Sequence, residues 1–275
     1  HTRGGSQGRT RFSGNAPLVD TAMSGTSSNL SFKSLLDVLA SLSMLTVSLG
    51  LAWVYLIKPT LLGPTKKTME VPREPVSIAG IPASGNSSSR LVVLEFSDFE
   101  CPFCGRFARE VWPAINDEFV LTGRAQFAFR SMPLETIHKR ALAAARVAVC
   151  AGQQQQFWPL HDALFKQPLA LDDSSLMAKA DDLELDQAAF RGCLSAQAEG
   201  LVRKDVSVAN ELHVQYTPSF FFGIRVDHDR LKVLKTVSGF QSLPAFKKIL
   251  EETEAQIKSA NCGLLTRMFG LCKAT

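Results

Sequence analysis

The chain is poor in cysteine, in tyrosine and, over most of its length, in net charge. Six cysteines in 275 residues fall far below the density of a small disulfide-built scaffold. Cysteine here means local chemistry or a few staples. Residues 91–275 hold 21 Lys and Arg against 22 Asp and Glu, and a near-neutral domain carries no electrostatic footprint for nucleic acid. The positive excess lies in residues 1–90, nine basic against four acidic. No internal repeat occurs. His138, His161, His213 and His228 are scattered without metal-ligand spacing, and His138, just before an Ala-rich stretch, reads as a helix-start residue. Only one long apolar run exists, and it dominates the first third.

That run is VLASLSMLTVSLGLAWVYLI, residues 38–57, with no charge over twenty positions. As a helix it would be about 30 Å long, the hydrocarbon thickness of a bilayer. Trp53 and Tyr55 lie near one end, followed by Lys58 and Pro59, as an interfacial belt and a helix stop would. A transmembrane helix is expected over 35–57. The run exceeds a signal-peptide core and no small-x-small site follows closely, so an uncleaved anchor is the reading. Residues 1–34, rich in Gly, Ser, Thr and Asn, read as a disordered arm. The sequence opens on His1, and Met23 is the expected natural start.

With 45% apolar and 20% charged residues, the remainder can bury a full core. Residues 58–90, rich in Pro, Gly and Ser, read as a linker with one candidate strand at 74–80. LVVLEF (91–96) is a buried strand, followed by a helix carrying Phe103, Phe107, Val111 and Ile115 at helical spacing. Ala125 to Phe129 reads as a second strand, completing a β-α-β unit. Several helices fill 136–212, a β-hairpin follows Pro218, and a helix from about Leu243 to Ile257 closes the order.

Cys101-Pro102-Phe103-Cys104 is a C-x-x-C motif, ambiguous by itself between a redox pair and half a zinc site. A structural zinc site needs four ligands, yet Cys150, Cys193, Cys262 and Cys272 supply no second C-x-x-C. No metal is expected. A cysteine at the start of a helix sits where free backbone N–H groups and the macrodipole favour a thiolate, which makes Cys101 the attacking thiol. Cys104, one turn inside the helix, is placed to resolve a mixed disulfide. Glu100 and Asp98 are candidates for proton transfer with Cys104. Cys150 with Cys193, and Cys262 with Cys272, are candidate structural disulfides, with buried free thiols the alternative for the first pair.

The string FSDFECPFC after an apolar strand, the phrases HKRALAAARVAVC, FWPLHDALF and TPSFFFG, and Thr217-Pro218 after an all-helical stretch resemble the DsbA-like thioredoxin-fold thiol:disulfide oxidoreductases over roughly residues 75–258. The resemblance implies an α/β thioredoxin fold with an all-helical insertion, here preceded by a single N-terminal transmembrane helix, with the thioredoxin domain proper over 91–258 and a tail over 259–275. It implies a cis bond at Pro218, packed opposite the cysteine pair, with the backbone at Thr217 and the side chain of Phe103 meeting the client. Phe103 stands where strongly oxidising members carry His, which implies a less oxidising couple. No cofactor is implied. Unfolded or partly folded proteins are the implied substrates, and a membrane redox partner of the DsbB or vitamin-K-epoxide-reductase-like kind the implied recycler.

Two alternatives stand beside this reading: a disulfide isomerase or reductase, and a non-catalytic thioredoxin-fold binding module at the membrane. One signal points the other way on topology. Lys58, Lys66, Lys67 and Arg73 outnumber Lys33 around the span, and the positive-inside rule would then put the domain in the cytoplasm. The resemblance puts it outside, in the periplasm, anchored to the cell membrane.

Overall fold

The structure, a computed structural model, describes residues 32–53, 55 and 69–269, with side chains described as far as Ala260. The chain divides into two units, His1–Lys66 and Lys67–Thr275. Within the first, α1 (Phe32–Ala52) is a 21-residue helix with mean hydropathy 1.9 and no buried residue. It is long and apolar enough to cross a bilayer. It begins at Phe32, three positions before the expected start, because Phe32, Leu35 and Leu36 extend the apolar run past Lys33 and Asp37. The expected arm up to position 31 and the end of the span at 56–57 lie outside the described residues.

The second unit is built on a six-stranded sheet in the order β1-β6-β5-β3-β4-β2. Its strands are β1 (Val76–Ser77), β2 (Ala83–Ser84), β3 (Leu91–Ser97), β4 (Ala125–Ser131), β5 (Ser219–Asp227) and β6 (Arg230–Ser238). β3 pairs parallel with β4 and antiparallel with β5. A strand buried on both faces has no use for alternation, and all seven residues of β3 are buried.

Of the stretch read as a linker, residues 58–68 lie outside the described residues; beyond them two short strands join the sheet, β1 pairing with β6 and β2 with β4. β1 falls inside the candidate strand at 74–80; β2 was not anticipated. The helix over Leu243–Phe269, α9, also runs through most of the stretch expected to be a tail, since Gly263 alone costs a helix only about 1 kcal/mol.

The parallel β3–β4 pair needs a crossover. It is made by α2 (Pro102–Glu110), α3 (Trp112–Ile115) and a π turn at Asn116–Val120. Phe107 fixes α2 to the sheet, its ring centroid 4.6 Å from Phe220 and 5.0 Å from Phe246. Removing such a ring costs about 3–5 kcal/mol. Between β4 and β5 the chain makes α4 (Ala141–Gly152), α5 (Phe157–Lys166), α6 (Asp173–Asp181), α7 (Gln187–Ala196) and α8 (Ala198–Glu211). These helices have their own apolar core, and Cys150 on α4 is disulfide-bonded to Cys193 on α7 inside it. Phe99 stitches this insertion to the sheet, 5.5 Å from Phe129 and 5.0 Å from Phe165.

Candidate active site

β3 delivers the chain to the site. Its alternation gives Leu91, Val93, Glu95 and Ser97 to the face that α2 covers, where Leu91 and Val93 pack with Phe107. Glu95 is 2% exposed, flanked by Phe129 on β4 and Phe220 on β5. A carboxyl between two phenyl rings loses most of its hydration, and burial pushes its pKa from 4.5 up to about 8.

Beyond Ser97 the chain turns into α2 through Asp98. The Asp98 carboxylate accepts hydrogen bonds from the backbone N–H of Glu100 and of Leu134 and from His138 Nδ1, each at 2.8 Å. Its own carbonyl accepts from the Cys101 N–H at 3.1 Å, and its N–H points at Cys104 Sγ at 3.5 Å. Asp98 therefore ties the loop. It lies beside Cys104 through its backbone, while its carboxylate is turned away, toward the loop before α4.

Cys101 is the N-cap of α2, with Pro102 at the first helical position where a missing N–H costs nothing. The neighbouring Cys104 thiol donates to its sulfur and, with Thr217 and the backbone N–H groups of Cys104 and Phe103, lowers its pKa to about 5 against the opposing effect of burial. Cys104 is fully buried. Desolvation, followed by the Cys101 thiolate and the Glu95 carboxylate, pushes its thiol well above 9.0. One thiol is ready to ionise and its partner holds a proton.

Across from the pair, the Thr217–Pro218 peptide bond is cis. Cys101 Sγ lies 3.4 Å from the Thr217 carbonyl oxygen and donates to it when protonated. Phe103, by contrast, stands out into solvent, 56% exposed. The structure thus brings Cys101, Cys104 and Thr217-Pro218 together, with Phe103 at their edge.

Glu100 is not among them. Its Oε2 accepts from the Arg140 backbone N–H at 2.6 Å, so it is held at the start of α4 and not at the thiols. The buried carboxyl facing Cys104 is Glu95, which the sequence reading passed over as one letter of an apolar strand; a Glu at an inward position six residues before a redox cysteine was the available signal. Cys150 and Cys193 are disulfide-bonded within the insertion core. The side chain of Cys262 and the whole of Cys272 lie outside the described residues. Among the described residues no group of three metal-ligating side chains comes together.

A family model described as Thioredoxin matches residues 79–243. Among curated proteins, the Na(+)/H(+) antiporter NhaA 3 of Salinispora tropica is 33% identical over 145 residues, covering 52% of this chain and 22% of the antiporter. The chain thus spans about a fifth of the length of the first such relatives, and this likeness says nothing of ion transport here. Disulfide bond formation protein D of Bacillus subtilis is 27% identical over 176 residues, covering 57% of this chain and 76% of that protein. Among solved structures, alpha-DsbA1 of Wolbachia pipientis superposes with a TM-score of 0.55 at 25% identity, covering 65% of this chain and 92% of that one.

Proposed function

The chain belongs to the thioredoxin family, with DsbA-like proteins among its relatives, and from that premise we propose that it is a membrane-anchored thiol:disulfide oxidoreductase acting on unfolded or partly folded proteins outside the cytoplasm. The observation that carries the reading is the opposed acidity of two adjacent thiols, Cys101 near 5 and Cys104 above 9.0. A stabilised Cys101 thiolate favours the reduced pair, so electrons flow onto it from client dithiols.

In that direction a client thiolate attacks Cys101 Sγ of the Cys101–Cys104 disulfide, and Cys104 leaves as a thiolate that takes up a proton, with Glu95 the nearby donor. A second client thiolate then attacks the client sulfur of the mixed disulfide. Cys101 leaves as a thiolate, a good leaving group because its pKa is low. Client backbone, in extended form, would lie along Thr217, with Phe103 offering an apolar contact. The pair is returned to its disulfide by a membrane redox partner that accepts the two electrons.

The location rests on α1 and on the Cys150–Cys193 disulfide, since such bonds persist in oxidising compartments. The testing experiment is trapping: Cys104→Ser should accumulate mixed disulfides with cellular proteins through Cys101. If Cys101→Ser traps them equally well, or neither variant traps any, the assignment fails.

A further inference from the structure

The loop before α4 is fastened to the turn that carries the cysteines at three points, and a carboxylate of that turn is the acceptor at each. Asp98 takes the Leu134 N–H and His138 Nδ1, both at 2.8 Å, and Glu100 takes the Arg140 N–H at 2.6 Å. Two of these donors are backbone and do not depend on the side chain at their positions. The third is the imidazole of His138, which lies three residues before α4 and is not its N-cap, a place held by Arg140.

The Asp98 side chain is 0% exposed against 16% for His138, and among the described residues His138 is the one ionisable group paired with it. An ionised carboxylate only accepts, so Nδ1 carries the hydrogen, and it does so whether the ring is neutral or charged. Water does not readily replace a donor at a group sealed from it. The neighbouring cations are spent elsewhere: Lys139 Nζ donates to the carbonyls of Glu135 and Thr136, and Arg140 Nη1 lies 3.9 Å from the Asp173 carboxylate.

What Asp98 fixes in turn is the pair of sulfurs. Its carbonyl accepts the Cys101 N–H at 3.1 Å, its own N–H lies 3.5 Å from Cys104 Sγ, and its carboxylate accepts the Glu100 N–H at 2.8 Å. Resting on the reading of Cys101 and Cys104 as the exchanging pair, we propose that His138 is a positioning residue for that pair, pinning the Asp98 turn from which both sulfurs take their places. Without the imidazole the carboxylate keeps its charge with one donor fewer, and the turn is freer to swing. Both effects work against a thiolate at Cys101, the first by adding negative potential three residues before it, the second by loosening the first-turn N–H groups around it.

The test compares the reduced full-length chain in detergent with His138→Ala, His138→Asn and His138→Gln, following iodoacetamide alkylation from pH 3 to 9 by the mass of the Cys101 peptide. The Asn amide nitrogen can stand where imidazole Nδ1 stands, and the Gln amide nitrogen where Nε2 stands. Parent alkylation should reach half its plateau near pH 5. In His138→Ala and His138→Gln the midpoint should move up by about one unit, which at pH 7 is about a tenfold shift of the glutathione equilibrium toward the Cys101–Cys104 disulfide. His138→Asn should stay near the parent on both readings. Should the alanine variant not fold, the Asn and Gln variants decide by themselves. Midpoints equal to the parent in the Ala and Gln variants, even with a lowered melting temperature, overturn the positioning and leave the disulfide exchange standing. An Asn variant displaced as far as the Gln one overturns it too. A parent that does not equilibrate with glutathione overturns the exchange instead, while the alkylation midpoints still decide the positioning.

Discussion

Cys101 Sγ lies 3.4 Å from the carbonyl oxygen of Thr217, across 116 positions of sequence, and donates to it when protonated. The contact joins the first turn of α2 to the start of β5, so the thiol at the helix start and the backbone that would receive a client are set side by side by the fold.

The Cys101 thiol should be half-ionised near pH 5 and the Cys104 thiol should stay protonated past pH 9. Thiolate absorbance of the reduced protein should therefore rise by one thiolate as pH climbs through 5, and brief alkylation at pH 6 should modify Cys101 alone. Equal labelling of both sulfurs would contradict the assigned polarity. The reduced form gains stability from Cys101 in full above the unfolded value of 9.0 and loses it as pH falls through 5.

Glu95 carries the opposite sign. A carboxyl raised from 4.5 to about 8 costs nothing below pH 4.5, and its penalty accumulates as pH rises toward 8. At pH 7 that gap corresponds to about 3 kcal/mol. Glu95→Leu should raise the urea midpoint of the reduced protein at pH 7, show no gain at pH 4, and slow peptide oxidation by the disulfide form. A midpoint lowered at both pH values would show that the carboxyl is stabilising after all.

Asp98→Ala leaves three N–H groups without their acceptor. A buried group left unsatisfied costs roughly 1–3 kcal/mol, and these donors are only part-buried, so the loss should be about 1–3 kcal/mol in all by chemical denaturation, and Cys101 reactivity should change with it. Asp98→Asn, which keeps an acceptor oxygen, should recover part of the loss.

The Cys150–Cys193 bond closes a separation of 43 residues. Chain-entropy arguments put such a closure at about 4 kcal/mol. Replacing both with Ala should lower stability by up to that amount while leaving trapping at Cys101 intact; loss of trapping in a folded variant would give the second disulfide a part in the chemistry.

Topology is open to direct measurement. A membrane-impermeant thiol reagent should label Cys101 in intact spheroplasts after mild reduction, and labelling only after lysis would place the domain in the cytoplasm, as the flanking lysines alone suggest.

The sequence made the cysteine pair, the β-α-β unit, the helical insertion and Thr217-Pro218 legible, because each is a local pattern: a fixed spacing, a period or a dipeptide. What escaped it was set by pairing across the chain. β2 is two residues long, too short for any periodicity, and exists because Ala83 and Ser84 lie along β4. Glu95 looked like an interruption in an apolar strand, and its position under Cys104 follows only once α2 is laid on that face. Glu100, adjacent to Cys101 in sequence, is drawn off by the Arg140 N–H, a contact forty residues away.

The brevity of the edge strands has a consequence for coexistence with clients. β1 and β2 each offer two residues, and past the end of β2 the Ser131 N–H is claimed by the Asp205 carboxylate at 3.0 Å. Long bare edges recruit other extended chains into intermolecular sheets. On the proposed function the chain would meet such polypeptides constantly; β1 and β2 themselves offer them only two residues each, and the backbone beside Thr217 would offer extended chain a place next to a sulfur, where contact ends in exchange and release, not in co-aggregation.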